Sequence, residues 1–190
     1  AHQGRREAGG SPYFWKWLYD PKLNGAGALV DYAWYGAALM SALWGRPKEV
    51  VGVARTLAKA RFPVDDNALV VGIWPKRTAL AQASWSQNPD FHEILFLGVD
   101  GTLETAGGKL YRSATRREDF SHWGAERQNR KTVPLPALRP GFRNGPEHFV
   151  HAIRTGAPFM KLCRAETGLA AQEILDAGLR SERSGRRVTL

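Results

Sequence analysis

The sequence predicts an α+β fold: one open, mostly antiparallel β-sheet with helices packed on one face. Three observations carry this. Five short apolar segments follow one another between residues 49 and 105, with turn-forming pieces and no helix-period stretch between them. Helical periodicity is confined to the two ends of the chain, at residues 28–44 and after residue 145. The strand, G-x-G-x-x-G turn and helix of a dinucleotide-binding half are missing, since no strand precedes Gly25-Ala26-Gly27 and Val30 stands where the third small residue belongs.

Taken in order, residues 1–27 are rich in glycine, proline and aromatics and read as loop and irregular structure, including the run Tyr13-Phe14-Trp15-Lys16-Trp17-Leu18-Tyr19. Residues 28–44 read as one helix, with Leu29, Ala33, Gly36, Met40 and Leu43 at helical spacing, Gly45 as its stop and Pro47 beyond. Strands are expected at 49–57, 67–74, 78–85, 92–99 and 102–105, separated by Pro63-Val64-Asp65-Asp66, Pro75-Lys76, Asn88-Pro89-Asp90 and Asp100-Gly101. Residues 106–142 are polar and read as a long excursion; helices at 146–155 and 164–184 and a short strand at 187–190 close the chain. The whole, 1–190, is expected to form one domain. Leu69-Val70-Val71-Gly72-Ile73 and Ile94-Leu95-Phe96-Leu97 are apolar without alternation, as in strands covered on both faces. Helices can cover one face only, so the other predicts a homo-dimer or higher homo-oligomer.

Composition removes several classes. No apolar run approaches the roughly 18 residues of a membrane helix, and Ala1-His2-Gln3-Gly4-Arg5-Arg6 leads into no apolar stretch, so neither a membrane helix nor a secretory signal at the start is expected. The net charge of +9 is scattered, with small clusters at Arg5-Arg6, Arg116-Arg117 and Arg186-Arg187 and no basic stripe interleaved with aromatics, which argues against nucleic acid. Cys163, the single cysteine, allows no intramolecular disulfide; it fits a reducing cytoplasm, leaves the periplasm open, and is expected to be buried and inert.

Asp31 and Tyr35 are four residues apart, hence on one helix face, with Ala38 and Ala42 leaving room beside them. A phenol one turn from a carboxylate suits proton transfer at a substrate oxygen; an aspartate near a helix start that merely meets the dipole, and a packing tyrosine, are the plainer readings. His92 faces a pocket or is a surface histidine. Trp15, Lys16 and Trp17 either offer a ligand apolar faces and a charge or cover the core edge. Trp85 reads as sheet packing, and His148 with His151 lack the further ligands a metal site needs.

The stretch Asn24-Gly25-Ala26-Gly27-Ala28-Leu29-Val30-Asp31-Tyr32-Ala33-Trp34-Tyr35 resembles the G-G-G-x-L-x-D-x-G-x-H/Y signature of the glucose–fructose oxidoreductase and inositol dehydrogenase (Gfo/Idh/MocA) superfamily. Leu43-Trp44-Gly45-Arg46-Pro47-Lys48-Glu49-Val50 is similar to its L-x-G-x-P-x-x-V. Val64-Asp65-Asp66-Asn67-Ala68, Gly98-Val99-Asp100-Gly101-Thr102-Leu103-Glu104 and the tail from Glu166-Thr167-Gly168 to Val188 follow in the family's order. Ala26 and Ala33 depart from it, each in place of a glycine. The resemblance implies the C-terminal, substrate-binding and oligomerisation half of an NAD- or NADP-dependent oxidoreductase acting on a sugar, cyclitol or related polyol. It implies that Asp31 and Tyr35 are catalytic, that Gly25 and Gly27 lie near the nicotinamide, and that Trp15, Lys16, Trp17 and His92 line the substrate. The family's catalytic lysine belongs to an E-K-P motif of the Rossmann half, and no Glu-Lys-Pro occurs in these 190 residues. No cofactor is therefore expected on this chain alone. The alternative expectation is a free-standing dimerisation or sugar-binding module of the same fold.

Overall fold

Alternation is the rule along the strands of residues 49–84. Val50, Gly52, Ala68, Val70, Gly72, Ala81 and Ala83 are buried, while their neighbours Val53, Leu69, Leu80 and Gln82 are exposed. In the computed structural model, which describes residues 11–87, 93–114 and 130–190, this pattern belongs to β1 (Glu49–Arg55), β2 (Asn67–Trp74) and β3 (Arg77–Ser84). With β8 (Val188–Thr189) they form an antiparallel sheet of order β3-β2-β1-β8. The register sets Gly52 opposite Val70 and Val70 opposite Ala81, so the buried residues share one face.

Helices lie on that face. They are α3 (Ala28–Asp31), α4 (Ala33–Trp44) and α6 (Ala165–Ser184), packed on β1, β2 and β3. α6 buries Ala170, Ala171, Ile174, Leu175, Ala177, Gly178 and Ser181, a stripe at helical spacing. Small residues bring it close: a Cβ on Gly52 would fall on the Gly178 carbonyl, so β1 and α6 touch backbone to backbone. Leu18, Leu29, Val50, Val70, Trp85, Ile174 and Leu175 complete the core. These elements belong to the first of two compact units, Ala1–Asp90 with Asn144–Leu190; the second is Phe91–Arg143.

The second unit holds β4 (Ile94–Gly98), β5 (Gly101–Ala106), β6 (Lys109–Ser113) and β7 (Lys131–Val133), an antiparallel sheet of order β4-β5-β6-β7. No apolar side chain of this unit is buried among its described residues.

The α+β class and the antiparallel pairing are as the sequence predicts, with three differences. The strands divide between two sheets, and β6 and β7 lie inside the stretch read as a polar excursion. The local signal for this hairpin is Gly107-Gly108, both at positive φ (+55° and +72°), a two-residue turn between β5 and β6. Within residues 1–27, two short helices replace loop: α1 (Pro12–Leu18) and α2 (Pro21–Asn24). Each starts on proline, which is favoured in a helix's first turn, and the Asp20 carboxylate caps α2 by accepting from the Lys22 N–H at 2.8 Å. Finally, the helix over 28–44 is broken at Tyr32: the Tyr35 N–H donates three residues back, to the Tyr32 carbonyl at 3.3 Å.

The last helices agree closely, α5 (Gly145–Thr155) being capped by Asn144, whose side chain accepts from the Glu147 N–H at 2.9 Å. Cys163 is exposed rather than buried, because it ends a one-turn 3₁₀ segment, Lys161–Cys163, at the surface. No helix of the described residues is long and apolar enough to cross a membrane.

Candidate functional site

The segment that carries Asp31 is one helical turn, too short to hold itself. It is held from the loop before β2. The Asp65 carboxylate accepts from the Gly27 N–H at 2.8 Å and the Leu29 N–H at 2.7 Å, and the Asp65 carbonyl accepts from the Ala28 N–H at 2.9 Å. Three of the free N–H groups at the start of α3 are thereby satisfied from one residue. The contact is close enough that a Cβ on Gly27 would coincide with the Asp65 carbonyl oxygen, which makes glycine obligatory there. Burial pushes the Asp65 carboxyl above its ordinary range, outweighing the Leu29 and Gly27 N–H groups that favour its charged form, with Asp66 adding repulsion.

Asp66 has the same task on the other side. Its carboxylate accepts from the N–H groups of Leu57 (2.8 Å), Ala58 (2.8 Å) and Lys59 (2.6 Å) and from the Asn67 side chain at 2.8 Å. Burial opposes its charge, but these donors together hold it below the usual carboxylate range. The Asp66 carbonyl accepts from the Trp85 N–H at 2.7 Å. The Trp85 indole N–H in turn donates to Asp31 Oδ2 at 3.3 Å.

Asp31 is half-buried, and Tyr35, one turn on, is 65% exposed, its ring edge-on to Tyr32 (5.9 Å) and Trp34 (5.8 Å). Asp31 ends α3 and Tyr35 lies in the first turn of α4, so the segment presents a half-buried carboxylate and, across the break at Tyr32, an accessible phenol. Gly25 closes α2 at φ +84° with open space where a side chain would be. The glycine character of Gly27 answers to Asp65, which is a different cause from the approach of a ligand. A helix, α2, leads into Gly25-Ala26-Gly27, so these residues do not form a strand-to-helix phosphate turn.

The belt on α1 divides. Trp15 is half-buried against the core, whereas Lys16 is exposed and Trp17 packs at the surface against Phe14, ring centres 6.0 Å apart. His92 lies outside the described residues. Trp85, just past the end of β3, is fully buried and packs edge-on to Tyr19, and its indole N–H bond to Asp31 has no signal in the local sequence. His148 is buried and its Nε2 accepts from the Met160 N–H at 2.9 Å, a structural role. Among the described residues no group of three or more His, Cys, Asp or Glu could hold a metal ion. A cleft of about 290 Å³ is lined by none of the predicted residues; its charges are paired, Arg46 with Glu173 and Arg180 with Asp176.

A family model described as the GFO/IDH/MocA C-terminal domain matches residues 1–104. The chain belongs to the GFO/IDH/MocA family. Solved structures agree in fold with this GFO/IDH/MocA domain over nearly its whole length. An aldose–aldose oxidoreductase from Caulobacter crescentus, complexed with glycerol, is 23% identical at TM-score 0.69, over 92% of this chain and 50% of its own. A levoglucosan dehydrogenase in complex with NADH and levoglucosan is 19% identical at TM-score 0.69, over 99% of this chain and 56% of its own. An oxidoreductase from Agrobacterium radiobacter, in complex with NAD+, L-tartaric acid and magnesium, is 13% identical at TM-score 0.70, over 99% and 54%. The chain thus spans about half the length of the structures it matches. No curated protein matches it.

Proposed function

We propose that this chain is the substrate-binding and oligomerisation half of an oxidoreductase that moves a hydride between a nicotinamide and a secondary alcohol or carbonyl of a sugar, cyclitol or related polyol. The observation that carries the reading is the anchored α3–α4 segment, which fixes Asp31 and leaves Tyr35 open to solvent in a domain of the GFO/IDH/MocA family. Structures of like fold were solved with NADH and levoglucosan and with glycerol, which supports the cofactor and substrate class. NAD or NADP would be held by residues outside this chain, with Gly25 and Gly27 at most near the nicotinamide end. When bound, that group supplies the hydride acceptor. This chain's own part is to orient the hydroxyl at the Asp31 carboxylate and to pass its proton through the Tyr35 phenol, with Trp15, Lys16, Trp17 and His92 lining the substrate. We assign the 190 residues to one domain, because the second unit has no buried apolar side chain of its own among the described residues. A cytoplasmic setting fits the single cysteine.

The test is turnover by the intact protein, assayed with NAD+ and NADP+ against a panel of aldoses and polyols. Tyr35→Phe is expected to slow it by about 10²–10⁴-fold, the scale of a lost proton-transfer group. Asp31→Asn should slow it too, with nucleotide affinity nearly unchanged. Near wild-type rates in both variants would sink the assignment of this helix to catalysis.

A specific observation supports the oligomer. Val51, Val53, Leu69, Val71, Ile73 and Leu80 share the face of the first sheet that turns away from the helices, in register across β1, β2 and β3. An apolar face of this kind suits a second copy of the chain in a two-fold pairing. Light scattering at micromolar concentration should give a dimer or larger assembly that Leu80→Lys dissociates and high salt does not. A monomeric wild-type chain would refute it.

A further inference from the structure

We propose that Trp85 is a positioning residue that sets the direction of the Asp31 carboxylate. The proposal rests on the reading of Asp31 as a substrate-facing group and adds a residue to it. Trp85 is fully buried, and its indole N–H donates to Asp31 Oδ2 at 3.3 Å. Its ring is restrained by an aromatic neighbour. The Tyr19 ring stands edge-on to it, with centres 5.2 Å apart and planes at 79°, and Tyr19 is itself stacked on Phe62 at 4.0 Å. The Trp85 backbone N–H is held by the Asp66 carbonyl at 2.7 Å. Asp66 is fixed by the N–H groups of Leu57, Ala58 and Lys59.

The backbone under Asp31 is held by the neighbouring residue, Asp65, through Gly27, Ala28 and Leu29. One dipeptide, Asp65-Asp66, therefore references both the helix that bears the carboxylate and the donor that aims it. A half-buried aspartate on a single helical turn has two side-chain torsions to settle. A donor fixed on one oxygen selects the rotamer and so directs the other oxygen, at the precision a catalytic group requires. Packing against Tyr19 accounts for the burial of Trp85, but a phenylalanine would keep an aromatic ring there and lose the N–H that reaches Asp31.

Two measurements test this. The first reads the indole N–H of Trp85 by NMR in the 190-residue chain and requires no turnover. Asp31→Ala should accelerate its hydrogen exchange by about tenfold, as expected for loss of a bond to a charged acceptor. An unchanged exchange rate and chemical shift would overturn the proposal. The second is a double-mutant cycle on turnover of the intact protein, with the aldose and polyol panel named above. Trp85→Phe should lower kcat by about tenfold with KM little changed, and should have no further effect in the Asp31→Ala background. Additive losses would mean that Trp85 acts through the core and not through Asp31, which also overturns the proposal. If Trp85→Phe does not fold, the exchange measurement decides, because it leaves Trp85 in place. Full turnover by Asp31→Ala, with the exchange effect present, would instead refute the reading of Asp31 as a substrate-facing group and remove Trp85's role with it.

Discussion

In the first unit, β1, β2 and β3 turn Val50, Val70, Ala81 and Ala83 onto helices and bury them; in the second, β4 to β7 bury no apolar side chain among the described residues. The strand chemistry is nevertheless alike. Ile94-Leu95-Phe96-Leu97 is as apolar as Leu69-Val70-Val71, yet Leu95 is 56% and Leu97 78% exposed. Strand formation needs β-prone residues and a partner strand, whereas stability in water needs a covered face. The first sheet carries its cover in its own sequence, in the small-residue stripe of α6. The second holds together through hairpin register and through Arg130, which pairs with Glu104 at 3.0 Å and lies over the Tyr111 ring at 3.6 Å.

Truncation gives the widest separation between the two. Ile174→Ala opens a cavity under the first sheet and should cost about 2–5 kcal/mol of unfolding free energy by urea titration. Leu97→Ala should stay within about 0.5 kcal/mol in a monomeric sample. A large loss at Leu97 would show that the second sheet is covered after all.

Acid titration sharpens the comparison inside the first unit. Asp66, held below its unfolded pKa of about 3.9, contributes stability that is present above that value and lost as pH falls through its folded one. Asp65, raised by burial, contributes in the opposite sense: its stabilisation is present at low pH and lost as pH rises through its folded pKa. Asp66→Asn should therefore flatten the loss of stability as pH falls below the unfolded value of about 3.9, and Asp65→Asn should steepen the acid loss just above it. Each changes the slope by no more than about 1.4 kcal/mol per pH unit, the limit for one proton. Identical slopes in both variants would contradict the opposed environments.

The smallest effects should come from the ion pairs. Glu104→Gln in the second unit and Glu182→Gln in the first should each cost less than about 1 kcal/mol. Both losses should vanish at high salt, since a glutamine at 182 can still accept the backbone N–H that Glu182 accepts, that of Ala54 at 3.0 Å.

Periodicity located β2 and α6 almost to the residue, because β2 crosses the core and α6 lies along it, and burial writes itself into the pattern. It failed where burial was not the cause. Pro12 and Pro21 look like loop punctuation but start helices, and the strand at Lys109–Ser113 is defined by its hairpin turn rather than by an apolar face. At the candidate site, Asp31, Tyr35 and the Asp65-Asp66 pair were all visible as residue types in order. What joins them was not, since the bonds from Asp65 to Gly27 and Leu29 span 38 and 36 residues and that from Trp85 to Asp31 spans 54. No spacing rule reaches so far. Cys163 departs from a thiol's usual preference for the interior because it ends a surface 3₁₀ turn, Lys161–Cys163.

The Glu182 carboxylate has one more consequence. Among the described residues β8 pairs with β1 only at Glu49 and Val50, and no described strand pairs with that side of β1 from there to Arg55, the kind of margin on which another chain could add a strand and begin a fibril. Glu182 occupies the Ala54 N–H on that margin and holds Arg55 beside it. A newcomer would have to displace a carboxylate and a guanidinium before gaining its first bond. Growth by side-on strand addition is discouraged at this border.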